Sequence, residues 1–367
     1  EHAADFAKVM ANLIYDLRVE CGLNVIFSSL DDEPDMVPIE VREGATLDHY
    51  RLVMPLYRQE LDKRGLSNVM LTGMEVCSAS NASILPVKYS EILDNLFAFT
   101  MHDANNGNMR ISLLEQKLFY NFPVFQTSSC AVLNETFAGN YLTLDADNNH
   151  VVNDYYCALV NVSSLMNDVN MGANLFTMWQ PLNQVDSLAT LNSRPTNFTH
   201  VYYNSSIFNN GFSTTAAHSY FSKILRTVRP GAKIYLAKNN VDGEMKGSFT
   251  DSHLNATAGE NTDGTWGINI LNKTDSTHFV GKSIKTNAAE TITVNLDIVG
   301  LYGTGAQEFA VYSTNTAGND NTRLDNLSLV DGRGHLVVQP GEVISLRSVN
   351  SIGLNNKPVT ISEKIKN

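Results

Sequence analysis

Phe97-Ala98-Phe99-Thr100-Met101-His102 and Pro123-Val124-Phe125-Gln126-Thr127 are two short, largely apolar runs, and the segment between them, Ile111–Tyr120, has helical spacing. A strand buried on both faces reads as such a run rather than as an alternation, and a helix joining two of them makes the pair parallel. The same unit recurs on both sides. Upstream, a strand is expected at Asn24–Ser28, a helix at Leu47–Arg64, a strand at Val69–Thr72 and a helix near Tyr89–Leu96. Downstream come a helix at Val152–Val169, a strand at Ala173–Met178 and a helix at Thr214–Val228. Glu1–Gly22 opens the chain with Phe6, Val9, Met10, Leu13, Ile14 and Leu17, the rhythm of an amphipathic helix with its apolar stripe against a core. Repeated strand and helix units imply a parallel sheet, open or closed into a barrel.

The texture changes after Arg229-Pro230-Gly231. Lys233–Lys238, Trp266–Asn272, Thr291–Gly300, Phe309–Thr314 and Glu342–Val349 are short alternating runs separated by Gly, Asn, Asp and Thr, the pattern of an antiparallel β-sandwich. The expected division is a barrel portion over residues 1–229 and a sandwich over 230–367. Trp266 alternates with Ile268 and Ile270 and belongs to the sandwich core, while Asn239–Gly247 and Thr257–Gly264 read as polar loops.

Five strands do not close a (β/α)8 barrel, and two open edges of unpaired backbone are a liability that native proteins avoid. The expected fold is therefore the C-terminal portion of a TIM-type barrel, strands four to eight, followed by the sandwich. The N-terminal half of the same barrel is an expected partner, as a separate chain or as a further part of the polypeptide.

Composition narrows the function. At 367 residues, 43% hydrophobic and 17% charged, the chain can fill two cores. Its net charge of −12 repels a phosphate backbone, so nucleic acid is not an expected partner. No apolar run approaches the ~18 residues of a membrane span. Cys21, Cys77, Cys130 and Cys157 are too widely spaced for a CxxC metal or redox motif and form at most two disulfides, so no metal or cofactor is expected. Sequons at Asn81, Asn134, Asn161, Asn197, Asn204, Asn255, Asn272 and Asn326 fit a secreted or cell-surface glycoprotein.

In a barrel, chemistry gathers where strands end. The first strand is followed by Asp32-Glu33-Pro34, a carboxyl group in a turn stiffened by proline and suited to general acid/base work. His102 ends the third strand and offers a hydrogen bond to a ligand or to the barrel rim. Trp179 follows the last strand and either offers its ring face to a ligand or plugs the barrel mouth. Glu75, Asp103 and Glu135 also follow strands and are further carboxylates in reach of such a site. Tyr202 and Tyr203 lie in the long segment after the last strand, where loop packing competes with a place in a ligand groove.

Taken in order, these segments resemble glycoside hydrolase family 30, retaining glycosidases with a (β/α)8 barrel and an appended β-domain. Asp32-Glu33-Pro34 stands where the family has Asn-Glu-Pro, Phe97–His102 matches its sixth strand, and Asn174–Gln180 with Trp179 matches its eighth. The last helix runs into Arg229-Pro230-Gly231-Ala232, and Gly264–Ile270 and Gln339–Leu346 look like the appended strands. The resemblance implies Glu33 as acid/base, with Asp32, His102 and Trp179 around a sugar. It also implies a nucleophilic Glu at the end of the seventh strand, where this chain has Ser128 after Thr127. Retaining hydrolysis needs two carboxyl groups ~5–5.5 Å apart, and a serine with no adjacent base is too weak a nucleophile to substitute. The expectation is a secreted, glycosidase-like protein that binds glycan, or serves in an extracellular assembly, without hydrolysis. The alternative is an active retaining β-glycosidase that pairs Glu33 with a carboxylate from elsewhere, or one whose nucleophile was removed by design.

Overall fold

The computed structural model describes residues 2–30, 48–76, 90–103, 121–129, 142–144, 150–152, 155–170, 172–178, 182–184, 201–203, 211–214, 216–241, 244–247, 253–274, 277–280, 283–286, 288–315 and 321–352. Two compact units emerge, Glu1–His218 with Thr277–Lys285, and Ser219–Ser276 with Thr286–Asn367.

The first unit is built on a parallel sheet of five strands: β1 Phe27–Ser28, β2 Met70–Val76, β3 Ala98–Asp103, β4 Val124–Ser129 and β5 Leu175–Met178. They are paired in sequence order, so each crossover returns the chain to the next position along the sheet. The sheet is strongly curved. In a flat sheet β1 and β4 would be separated by about 14 Å, three strand spacings of ~4.8 Å. Instead the rings of Phe27 on β1 and Phe125 on β4 sit 5.0 Å apart, and Phe97 stacks on Phe27 at 5.8 Å. That aromatic plug on the concave side is the interior filling of a barrel segment.

Helices α1 (Ala3–Tyr15) and α2 (Asp48–Lys63) cover the sheet near β1, and α3 (Tyr155–Asn170) leads into β5. Tyr50, Val53, Met54, Tyr57 and Leu61 of α2 join Ala7, Ala11 and Ile14 of α1 in one core. Small residues on α1 let the two helices approach closely. Ser28 of β1 and Tyr57 of α2 share a buried hydrogen bond of 2.8 Å, and burial pushes the Tyr57 hydroxyl above its ordinary pKa.

Sequence periodicity placed the elements well and their ends less well. The opening helix turns into a π-helical stretch at Asp16–Glu20, and the segment near Tyr89–Leu96 is a 3-10 helix over Ser90–Asn95. The expected helix at Ile111–Tyr120 lies outside the described residues. Tyr202 and Tyr203 are not in a loop: Val201–Tyr203 pairs in parallel with Leu182–Gln184 and antiparallel with Phe212–Thr214. The stripe Phe6, Val9 and Leu13 of α1 is exposed rather than buried, because α2 covers only the flank carrying Ala7, Ala11 and Ile14.

The second unit is built on an antiparallel sheet with nine strands among the described residues. Its strands are β6 Lys233–Tyr235, β7 Leu254–Glu260, β8 Trp266–Asn272, β9 Ile292–Asp297, β10 Ala306–Thr314, β11 Thr322–Arg323, β12 Leu327–Val330, β13 Arg333–Val338 and β14 Val343–Ser348. The order is β6-β7-β8-β14-β10-β12-β13-β9, with β11 paired to β10. Residues from both ends of this order share one core: Tyr235 of β6 and Ala256 and Ala258 of β7 join Val294 and Leu296 of β9 around Trp266, Phe309 and Leu329. The sheet therefore curls over itself into a sandwich-like body, and Trp266 is fully buried within it.

Strand β8 is buried along its whole length because its other face meets helix α4 (Ala216–Thr227). Asn269 donates to the carbonyl of Ile224 at 3.3 Å, and Arg347 of β14 donates to Thr227 at 3.1 Å. A Cβ on Gly267 would stand 1.9 Å from the carbonyl oxygen of Thr227, so only glycine admits the helix there. The turn that begins the strand-rich texture, Arg229-Pro230-Gly231, thus lies within the second unit, tied by the ion pair of Arg229 with Asp263. Two stretches read as polar loops are strands: Lys238–Val241 pairs with Glu244–Gly247, and Thr257–Glu260 belongs to β7. Their Asn, Gly and Thr content masked an alternation that is complete only against neighbouring strands.

Candidate functional site

Strands β2, β3, β4 and β5 each break register near the C-terminal end, and they do so at one level. Between β2 and β3 the pairs Gly73 with Phe99 and Val76 with Met101 leave Met74 and Glu75 opposite the single residue Thr100. Between β3 and β4 the pairs Met101 with Gln126 and His102 with Ser128 leave Thr127 as the extra residue. Between β4 and β5 the pairs Gln126 with Phe176 and Ser129 with Met178 leave Thr127 and Ser128 opposite Thr177. Bulges are uncommon in parallel pairs and re-aim side chains beside functional sites.

A threonine hydroxyl serves each bulge. The Thr100 hydroxyl accepts the amide of Glu75 at 2.9 Å. The Thr127 hydroxyl donates to the Glu75 carboxylate, and that of Thr177 donates to the carbonyl of Thr127. Glu75 itself has φ of 50°, the left-handed region that a non-glycine residue occupies only at a conformational cost. The twist turns its side chain into the sheet, where it is buried. Nε2 of buried His102 lies 3.4 Å from Oε2 of Glu75.

A carboxylate, an imidazole and a threonine hydroxyl from three successive strands therefore converge at the C-terminal end of the parallel sheet. Chemically the group can accept hydrogen bonds from hydroxyls and can hold or pass a proton between Glu75 and His102. Thr127, which binds Glu75, is the direct neighbour of Ser128 in the chain. The carboxyl group from β2 is thus tied to the end of the strand on which the resemblance expects one.

Of the sequence-derived site residues, the structure brings His102 and Ser128 together as register partners on β3 and β4. Asp32, Glu33 and Trp179 lie outside the described residues. Glu75, read from sequence only as one of several strand-end acids, is the carboxylate at the centre of the described cluster. Thr100 and Thr177 carried no signal: threonine is common in strands, and a bulge depends on the registers of two neighbours.

The glycosylation sites also separate. Asn255 and Asn272 are fully buried, which corrects their reading as glycan acceptors. The Asn272 amide donates to the carbonyls of Glu290 at 2.8 Å and Val338 at 3.0 Å, while its Oδ1 accepts from Thr274. Asn-Lys-Thr there is a turn that closes β8, and the same three residues spell a sequon. Asn326 is exposed, Asn161 lies on α3, and Asn81, Asn134, Asn197 and Asn204 lie outside the described residues. Cys21 is an exposed free thiol. Among the described residues no helix is long and apolar enough to cross a membrane.

Solved structures share this fold. The chain is similar to the catalytic domain of glycoside hydrolase family 30 xylanase C from Talaromyces cellulolyticus at 15% identity and a TM-score of 0.57, over 94% of this chain and 67% of that one. It is similar to SrfJ from Salmonella typhimurium at 14% identity and a TM-score of 0.59, over 95% of this chain and 62% of that one. A family 30 endoxylanase from Clostridium papyrosolvens matches at 12% identity and a TM-score of 0.56, over 95% of this chain and 71% of its own. The likeness defines the fold, a partial (β/α)8 barrel followed by a sandwich-like β-domain of the family 30 type. The chain spans roughly two thirds of the length of these structures. No family model matches the sequence, and no curated protein matches it.

Proposed function

We propose that this chain is a carbohydrate-binding protein on a glycosidase scaffold, and that it does not hydrolyse its ligand through the usual pair of carboxylates. The observation that carries the reading is the end of β4, where Ser128 is the register partner of His102. A side chain at that position is the one expected to attack the anomeric carbon, and serine leaves the covalent step without a competent nucleophile. The remaining groups suit recognition. Buried carboxylate and imidazole groups at a strand-end mouth hydrogen-bond sugar hydroxyls, and Asp32, Glu33 and Trp179 follow strands of the same sheet. The sequons and the composition support a secreted or cell-surface location, with a glycan or an extracellular assembly as partner.

A second reading, retaining hydrolysis, is favoured by one observation: the Glu75 carboxylate is bound to Thr127, beside Ser128. In it Glu75 supplies the nucleophile from β2, with Glu33 as acid/base. Calorimetric titration with xylo- and gluco-oligosaccharides, together with an aryl-glycoside assay of the unaltered chain, Ser128→Glu and Glu75→Gln, separates the two. Binding without turnover, with turnover appearing only in Ser128→Glu, supports the first. Turnover by the unaltered chain that Glu75→Gln abolishes supports the second. Neither binding nor turnover with any of these sugars overturns both.

A further inference from the structure

Two arginines share one tyrosine on the sheet face of the second unit that meets α4, and a third lies beside them. Tyr312 of β10 is the register partner of Arg323 on β11 and of Ser345 on β14, so these side chains, and Arg347 two residues beyond Ser345, leave the sheet on one side. The guanidinium carbon of Arg347 stands 4.4 Å from the centre of the Tyr312 ring, and that of Arg323 stands 5.4 Å from it. Arg226, exposed in the last turn of α4, adds its positive charge to that of Arg347.

The two arginines at the ring differ in what they hold. Arg323 closes its own strand, donating to the carbonyls of Val311 and Leu324 and to the side-chain oxygen of Asn326. Arg347 donates through Nε to the Thr227 hydroxyl at 3.1 Å, whereas its Nη2 is enclosed and meets no acceptor. Among the described residues neither Arg347 nor Arg226 forms an ion pair, in a chain with 38 acidic residues against 26 basic ones. Burial lowers the pKa of the Arg347 guanidinium, and the charge of Arg226 pushes the same way. An enclosed N–H without an acceptor and a like charge beside it are both unfavourable, and the ring of Tyr312 offsets only part of that. The fold thus holds a half-buried guanidinium with a donor to spare and a second cation facing it.

We infer that Arg347, Arg226 and Tyr312 form a binding site for a single oxyanion, the carboxylate or sulfate group of a small ligand. A modest turn of the guanidinium brings Nη2 to the ligand oxygen, and the negative charge, set between the two arginines, removes their repulsion. A planar guanidinium suits an oxyanion better than an ammonium does, because its donors lie in one plane with the acceptor oxygens. The net charge of −12 opposes a long polyanion, so one charged group fits the cluster where a nucleic acid or a sulfated polymer does not. An acidic sugar and a free inorganic ion share this chemistry. The site belongs to the second unit and does not depend on what the strand-end group of Glu75 and His102 binds.

The test follows the arginine Nε–H resonances of the full chain, labelled with 15N-arginine, at constant ionic strength. The Arg347 resonance is identified by its absence from Arg347→Lys. Titration with sodium glucuronate is expected to move it saturably, and titration with glucose to leave it in place. Arg226→Gln, at an exposed position, weakens the affinity by about threefold. Arg347→Gln, read at the Arg226 resonance, weakens it by about tenfold or more. Sodium sulfate distinguishes the sources: glucuronate bound more tightly than sulfate supports a sugar-borne carboxylate, and equal affinities support a free oxyanion in the same site. A response to glucuronate that does not saturate, an equal response to glucose, or an affinity unchanged in Arg226→Gln overturns the inference, and the last holds even where Arg347→Gln fails to fold.

Discussion

Oε2 of Glu75 lies 3.4 Å from Nε2 of His102, and Glu75 is held there by a left-handed backbone turn and by the hydroxyl of Thr127. Thr127→Val keeps the side-chain volume and removes the donor. The carboxylate then stays buried with one fewer partner, and the chain is expected to lose about 1–3 kcal/mol of stability, with glycan affinity falling about tenfold. Urea unfolding and calorimetric titration of the same preparation check both numbers.

The Tyr57 hydroxyl sets an alkaline limit on the first unit. Burial raises its pKa in the fold above the ordinary value of 10.0. A group with a raised folded pKa contributes stability that is complete below its unfolded pKa and is lost as pH rises toward the folded one. Thermal unfolding is therefore expected to be flat with respect to this group up to pH 10 and to weaken above it. Tyr57→Phe removes that alkaline fall and costs about 1 kcal/mol at neutral pH, because Ser28 loses its buried partner.

Helix α2 has an acid limit of opposite sign. Hydrogen bonds from Arg64 and then Lys63 lower the pKa of Glu60 to about 2. Its contribution is present above the ordinary carboxylate pKa of 4.5 and disappears as pH falls toward 2. The pair lies half-buried at the surface, where salt still screens it, so the effect is small. Carbon-detected titration of the Glu60 carboxyl, with Arg64→Met as control, should show the resonance moving back toward the ordinary range when the partner is removed.

Gly267→Ala drives a methyl group into the Thr227 carbonyl at the contact between α4 and β8. Backbone must move on one side or the other, and a loss of about 3 kcal/mol or more is expected. The corresponding drop in Tm is roughly 6–12 °C. Differential scanning calorimetry is the direct check.

Glycopeptide mapping of the chain expressed through a eukaryotic secretory pathway should find Asn326 modified and both Asn255 and Asn272 unmodified. The latter two side chains are enclosed by strands, and the Asn272 amide nitrogen already donates to two carbonyls. A glycan on Asn272 would mean that β8 was modified before it folded.

Local patterns reached a long way into this protein. The apolar runs of β3 and β4 set the parallel sheet, the alternation of Trp266, Ile268 and Ile270 set the second core, and His102 was legible as a strand-end group. Periodicity alone also assigned Phe6, Val9 and Leu13 to a buried face, where the structure leaves all three exposed because α2 packs on the neighbouring flank.

Sequence by itself determined the main strands and helices of the parallel sheet and where the texture changes, because those follow from the period of apolar side chains along a chain. Only the tertiary structure decided that Glu75 is turned inward, since that depends on a left-handed φ and on bulges shared by four strands. It likewise decided that Asn272 caps a strand and is closed to a glycan. Registers, close approaches and burial are properties of segments meeting across space, and no single segment encodes them.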